Sequence, residues 1–254
     1  MRTPRICLHA IPLLMALLLT GPLAAQTPAS EAATPSPEQL IREMSDALKK
    51  AGNFQVHAEI NFDQVLVSGQ KIQYAGAAEI VVRPPNGVFI DYRDDLSAKR
   101  FWYDGKQGTL LDVAQEKYSQ APLPDTIDAA RDTLRTEYEL SLPLADLVSS
   151  NHLETISSRA ISWGYLGVHD VEGTLANHIA IVGKNADLQL WIQKEGEPVP
   201  LKMVITYKNR PMSPQYQAVL MDWKLGATVS DSTFQPNLPK NAQRVKLLSA
   251  EDQQ

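Results

Sequence analysis

The sequence predicts a single α+β domain in which a curved antiparallel sheet wraps around a few helices. Three observations predict it. One clear amphipathic helix stands near the N-terminus. The apolar period then changes from 3.6 to 2 and stays there for most of the chain. One helical stretch near the middle interrupts the strands, which then resume almost to the end. No internal repeat is evident.

The first 25 residues read as a secretory signal. Arg2 and Arg5 give a positive start, Ile11 to Leu19 a short apolar core, and Pro22-Leu23-Ala24-Ala25 a small-residue exit, with cleavage expected after Ala25. The apolar run is about half the ~20 residues that a membrane span needs. Residues 26–35 are mostly Ala, Pro, Ser and Thr and read as a flexible leader. The folded domain is expected over 36–250.

Ser36 can cap a helix, Pro37 suits its first position, and Gln39 completes an S-x-x-Q capping box. Leu40, Ile41, Met44 and Leu48 fall on one stripe. Lys49, Lys50 and Gly52 suit its end. In "FQVHAEINF" the residues Phe54, Val56, Ala58, Ile60 and Phe62 then share one strand face, with Gln55, His57, Glu59 and Asn61 on the other. Turn signals follow at Ser68-Gly69, Pro84-Pro85-Asn86-Gly87, Arg93-Asp94-Asp95 and Asp104-Gly105. The stretch "FWYDGKQGTLLD" is thus a hairpin, and Asp104 is a turn residue rather than a catalytic carboxylate.

From Ala121 the character changes. Asp125 or Thr126 can cap a helix through Ile127, Ala130, Leu134 and Tyr138. Ser141 and Pro143 are expected to start a second, shorter one through Leu144, Leu147 and Val148. Strands resume in "LQLWIQ", "LKMVITY" and "YQAVLMDWKL". The last is apolar on both faces, with Tyr216, Ala218 and Leu220 on one and Val219, Met221, Trp223 and Leu225 on the other. That pattern marks a strand buried on both sides or lining a dry cavity.

Composition narrows the function. The sole cysteine, Cys7, lies inside the signal, so the remaining chain has no disulfide and rests on its hydrophobic core. With Arg2 and Arg5 removed from the 24 basic residues, 22 remain against 29 acidic. There is no basic run, so nucleic acid and anionic lipid surfaces are poor partners.

The chain offers little catalytic patterning. His57, His152, His169 and His178 lack a spacing suited to a shared metal, and there is no H-E-x-x-H, G-x-S-x-G or glycine-rich phosphate loop. Neither a metal nor a cofactor is expected. His169-Asp170 is the nearest candidate for a catalytic pair, but adjacent strand residues face opposite ways. Aromatics are the remaining signal. Trp102, Trp191 and Trp223 lie in strands and Trp163 follows one. Core packing accounts for any one of them, whereas several around a half-open sheet would make an apolar pocket.

Specific segments carry a resemblance. "RPPN" at 83–86 is followed by Asp91-Tyr92, "YDGK" at 103–106, "LLD" at 110–112 and Tyr118, and the chain closes on "STFQPNLPKNAQRV" with Phe234, Pro236 and Pro239. This order resembles the periplasmic outer-membrane lipoprotein carriers (Lol-type). The inserted helices, "YLGVHDVEGTLANHIAI", "LQLWI", "VPLKMVITY" and "PQYQAVLMDW" are more similar to a family of predicted periplasmic proteins, a DUF2092-like domain of unknown function that is thought to share the carrier fold. The resemblance implies an unclosed β-barrel with the N-terminal helix and the inserted helical pair as a lid over an apolar cavity. It also implies a soluble periplasmic location. It does not imply lipoprotein as cargo. In the carriers the arginine of the R-P motif hydrogen-bonds the lid. Arg83 holds that position here and is either a lid latch or a surface arginine beside a turn.

The expected function is a non-catalytic periplasmic binding or carrier protein for an apolar, acyl-chain-bearing ligand or a lipid-modified protein. Phe89, Trp102, Leu190, Ile192, Met203 and Trp223 are the expected wall residues. The alternative is an envelope protein-interaction or stress-sensing module whose cavity is filled by its own side chains. A hydrolase using His169 or His178 is the third reading.

Overall fold

The first strand is the centre of the molecule rather than its edge. In the computed structural model, β1 (Phe54–Val65) pairs on one side with β2 (Lys71–Arg83) and on the other with β11 (Gln215–Leu225), both antiparallel. From β2 the sheet runs outward through β3 (Gly87–Asp94), β4 (Ala98–Tyr103), β5 (Gln107–Asp112) and β6 (Lys117–Pro122). From β11 it runs through β10 (Pro200–Tyr207), β9 (Ala186–Gln193) and β8 (Thr174–Gly183) to β7 (Ala160–Val171). A short β12 (Gln243–Arg244) adds to β6 in parallel, so the 12-stranded sheet is mixed rather than wholly antiparallel. Its order has β12 at one end and β7 at the other: the sheet curves but does not close. The structure describes residues 34–247 apart from 141 and 143, and only the backbone of Ala145 and Asp146. The signal, most of the leader, and Ser141 and Pro143 as a helix start lie outside the described residues.

The helices cover one face, here called inner. α1 (Pro37–Ala51) is capped as its sequence dictates. The Ser36 hydroxyl accepts from the Gln39 amide at 3.1 Å, and the Gly52 N–H reaches the Lys49 carbonyl at φ +66°. The Gln39 side chain turns to Glu43 instead of completing the capping box. Leu40, Ile41, Met44 and Leu48 are buried, as the stripe predicts. α2 (Ile127–Glu137) starts on Thr126. The expected second helix is a 3-10 turn (Ala145–Val148), followed by a further short helix, α3 (His152–Ser157), that the sequence reading placed in no element.

Below the helices the sheet presents Val56, Ala58 and Ile60 on β1 beside Ile80, Ala78 and Gly76 on β2, and Ala218 and Leu220 on β11. The residues at the centre of this floor, Ala58, Gly76, Ala78 and Ala218, are small. Three polar ties fix the cover. The Ile127 amide donates to the Pro85 carbonyl at 2.8 Å, the Tyr103 hydroxyl donates to the Pro124 carbonyl, and His152 joins α3 to α1. Burial pushes the Tyr103 phenol up to about 12.

The outer face carries a strap. After β11 the chain is held by Gly226 N–H to Asn53 C=O at 2.8 Å. It turns through a 3-10 helix (Asp231–Phe234) against β3 and ends in β12. Phe234 is fully buried. A Cβ on Gly87 would stand 2.9 Å from its ring, so only glycine leaves room there. Arg83 covers the ring from 4.4 Å and pairs with Asp231 at 2.5 Å.

Phe234→Ala should therefore cost about 3–5 kcal/mol, read as a lower urea midpoint at unchanged slope. A midpoint equal to the parent's would mean that the ring does not hold the strap.

Candidate functional site

The inner faces of β8 to β11 do not meet the helices everywhere. Between them lies a cavity of about 270 Å³. Ile181, Leu190, Met203 and Leu220 form its floor, and Met44 of α1, Leu147 and Ile156 its roof. Each floor residue comes from a different strand, because alternation puts one side chain in two on this face. The rim is polar: Arg159, Asp187 and Tyr207 stand there, and Asp187 pairs with Lys208 at 2.7 Å.

One buried polar group lines the wall. His152 Nε2 lies 3.0 Å from the Leu147 carbonyl, and its Nδ1 lies 3.3 Å from the Ser45 hydroxyl. A carbonyl can only accept, so Nε2 carries a hydrogen toward Leu147, while Nδ1 and the Ser45 hydroxyl meet on the other side of the ring. The ring is thus engaged at both nitrogens and ties α3 and the 3-10 turn to α1.

The structure separates the six expected wall residues. Leu190 and Met203 line the cavity. Ile192 and Trp223 share the inner face but pack solidly. Ile192 is fully buried, and Trp223 leans on Phe54 at 5.6 Å while donating to the Pro200 carbonyl at 3.1 Å. Phe89 and Trp102 lie on the other face. Val88 and Ile90, which alternate with Phe89, are the residues opposite Val82 and Ile80 of the floor, and Phe89 instead pairs with Trp102 at 5.8 Å. The correction has a local cause: both β3 and β4 are apolar at consecutive positions, so alternation does not identify their inner side. The latch expected of Arg83 toward the helices is made to the strap instead, and the lid contact at this turn belongs to the Pro85 carbonyl. Met44, Leu147 and Ile156, which the sequence reading did not name as wall residues, complete the cavity. Met44 and Leu147 stand on apolar stripes visible in the sequence, whereas Ile156 lies in a helix too short to show one.

The doubly apolar reading of β11 resolves into a bulge. The register with β1 shifts between Gln55 and His57, and Asp222 takes φ +56°. Trp223 and Leu225 thereby rejoin the inner side with Leu220, while Val219 stays outside. Trp163 lies within β7 rather than after a strand.

The other histidines lie on the outer face. His169 Nδ1 meets His178 Nδ1 at 3.0 Å, His178 Nε2 meets Gln189 at 3.2 Å, and Trp191 stacks on His178 at 3.8 Å with Lys202 over its far side. His57 bridges Glu59 at 2.9 Å and Glu79 at 2.6 Å. Among the described residues no group of three His, Cys, Asp or Glu side chains is placed to hold a metal ion. Asp104 Oδ1 accepts from the amides of Lys106 and Gln107, with Gly105 at φ +90°, which is the geometry of a turn.

Comparisons with known proteins bear on most of the chain. A family model described as "Predicted periplasmic protein (DUF2092)" matches residues 37–248. No curated protein matches. Among solved structures, an uncharacterized conserved protein from Thermus thermophilus is similar in fold, with a TM-score of 0.50 and 11% identity over 81% of this chain and 98% of that one. LprF from Mycobacterium bovis gives 0.47 and 13%, covering 81% and 99%. The LolA superfamily protein NE2245 from Nitrosomonas europaea gives 0.41 and 9%, covering 80% and 99%. Among the described residues no helix is long and apolar enough to cross a membrane.

The outer-face histidines give pH dependences of opposite sign. The hydrogen bond to Glu59, supported by Glu79, raises His57 above its ordinary 6.5 against the effect of partial burial. Its stabilisation is full below pH 6.5 and is lost as pH rises through the raised value. Burial lowers His178, and His169 and Lys202 add to the effect. The unfolded chain then takes up that proton first, so stability falls as pH drops from 6.5 through the lowered value. Urea unfolding from pH 4.5 to 8.5 should show a weaker alkaline decline for His57→Gln and a weaker acid decline for His178→Gln. Curves parallel to the parent's would contradict both assignments.

Proposed function

The chain belongs to this family of predicted periplasmic proteins, and from that premise we propose that it is a soluble periplasmic carrier. It binds an apolar, acyl-chain-bearing ligand and performs no covalent chemistry. The cavity between β8–β11 and the helices is the observation that carries this reading. It is walled by aliphatic side chains from several elements and rimmed by Arg159, Asp187 and Tyr207, so an apolar chain would lie inside with a polar end at the rim. At about 270 Å³ the cavity is just under the ~300 Å³ at which small-molecule sites begin, which suits one slender chain. A longer cargo has to displace the helical cover. Its affinity is then the difference between what its packing in the trough contributes and what lifting the cover costs.

The partners of the outer-face histidines run against the hydrolase reading. His169 and His178 engage each other and Gln189 on the face opposite the cavity.

Native mass spectrometry of protein purified from the periplasm without detergent should show a bound species of lipid mass. In solution, N-phenyl-1-naphthylamine should bind the parent. Met203→Trp, which fills the floor, should weaken that binding at least tenfold, or about 1.4 kcal/mol, while circular dichroism stays unchanged. A clean protein mass together with no dye binding would overturn the carrier and leave an interaction module with a filled interior.

A further inference from the structure

The inner face holds a second cavity. It has a volume of about 220 Å³ against β3, β4 and β5, and its apolar walls are Ile90, Phe101, Leu110, Leu140 and Leu142, with Tyr92 among them. The first cavity lies against β8 to β11. One connecting segment covers both: Leu140 and Leu142 wall the second, and Leu147 walls the first.

In the sheet order Tyr216, on β11, comes between the strands of the second cavity and β10 to β8 of the first. It occupies the inner face of β11, opposite Phe62 on β1 and Ile205 on β10, and Ile205 lines the first cavity. The Tyr92 hydroxyl is engaged, donating to Asp94 at 2.5 Å. The Tyr216 hydroxyl is buried and has no hydrogen-bond partner among the described residues. Burial raises its pKa, so it stays a neutral donor. A buried donor left unmatched is costly, and phenylalanine would fill the same space without that cost.

The cover over this partition is strained at both ends. Glu139 and Leu144 take φ +51° and +55°, a region that costs a residue with a Cβ.

We propose that the two cavities are arms of one site that join past the Tyr216 hydroxyl, and that the ligand carries an ester or amide carbonyl between two apolar chains. The carbonyl accepts from Tyr216 while one chain lies in each arm. This inference rests on the carrier reading and names the class of its cargo.

The test compares the parent with Tyr216→Phe on two probes: a diacylglycerol with one pyrene-labelled chain, and a pyrene-labelled alkane that has no acceptor. The parent should bind both. The variant should bind the diacylglycerol roughly fivefold more weakly, as expected for one neutral hydrogen bond, and the alkane equally well. Its thermal midpoint should equal or exceed the parent's. If both probes weaken alike, or neither does, or the midpoint falls, the hydroxyl serves the fold or nothing, and this inference fails while the carrier stands. If the parent binds neither probe, the carrier reading fails and takes the inference with it.

Discussion

A sheet that curves without closing leaves a trough, and an apolar trough cannot stay wet. That constraint governs the rest of the molecule. The stripe of α1, the short residues at the middle of the floor and the three polar ties all cover it. The ties are placed where the cover would otherwise slide: Pro85 to Ile127 and Tyr103 to Pro124 at the start of α2, and Ser45 to His152 between α1 and α3. The helical cover does not meet the sheet everywhere, and spaces of about 270 and 220 Å³ remain under it.

The two faces divide the work. The inner face exchanges apolar contacts, and its hydrogen bonds are few and buried. The outer face is tied by polar and aromatic contacts that do not depend on the cavity: the Glu59–His57–Glu79 bridge, the Trp191 stack, and the strap locked by Arg83 and Phe234. Changes in the cover can therefore proceed with the outer face intact.

Much of this was legible from the chain. Ser36 and the Leu40–Leu48 stripe specify α1 through local physics alone, and Phe54 to Phe62 specify their face because one strand side is polar. Asp104-Gly105 specifies its turn through local physics as well. The sequence fails where the deciding contact is distant. Phe101, Trp102 and Tyr103 are consecutive aromatics, and their sides depend on pairing with β3 and on a strap more than 120 residues away. Trp223 changes sides at a bulge, which a period-2 reading cannot foresee. His152 to Ser157 is too short to show a helical period. The strap partner of Arg83 is likewise non-local, so its motif predicted a polar contact but not with which segment.

The strand order also sets a sequence in time. β1 is among the first segments made, and its second neighbour, β11, is nearly the last. The β2–β6 meander can assemble on one side of β1 while the chain is still incomplete, since its contacts are local. The other side of β1 must wait for Leu225 to reach Phe54. Throughout that interval the future centre of the sheet is an open edge with an apolar face, the state in which chains most readily associate with one another. Completion of the fold is a late, long-range closure, and holding that edge apart until then is work for whatever accompanies the chain.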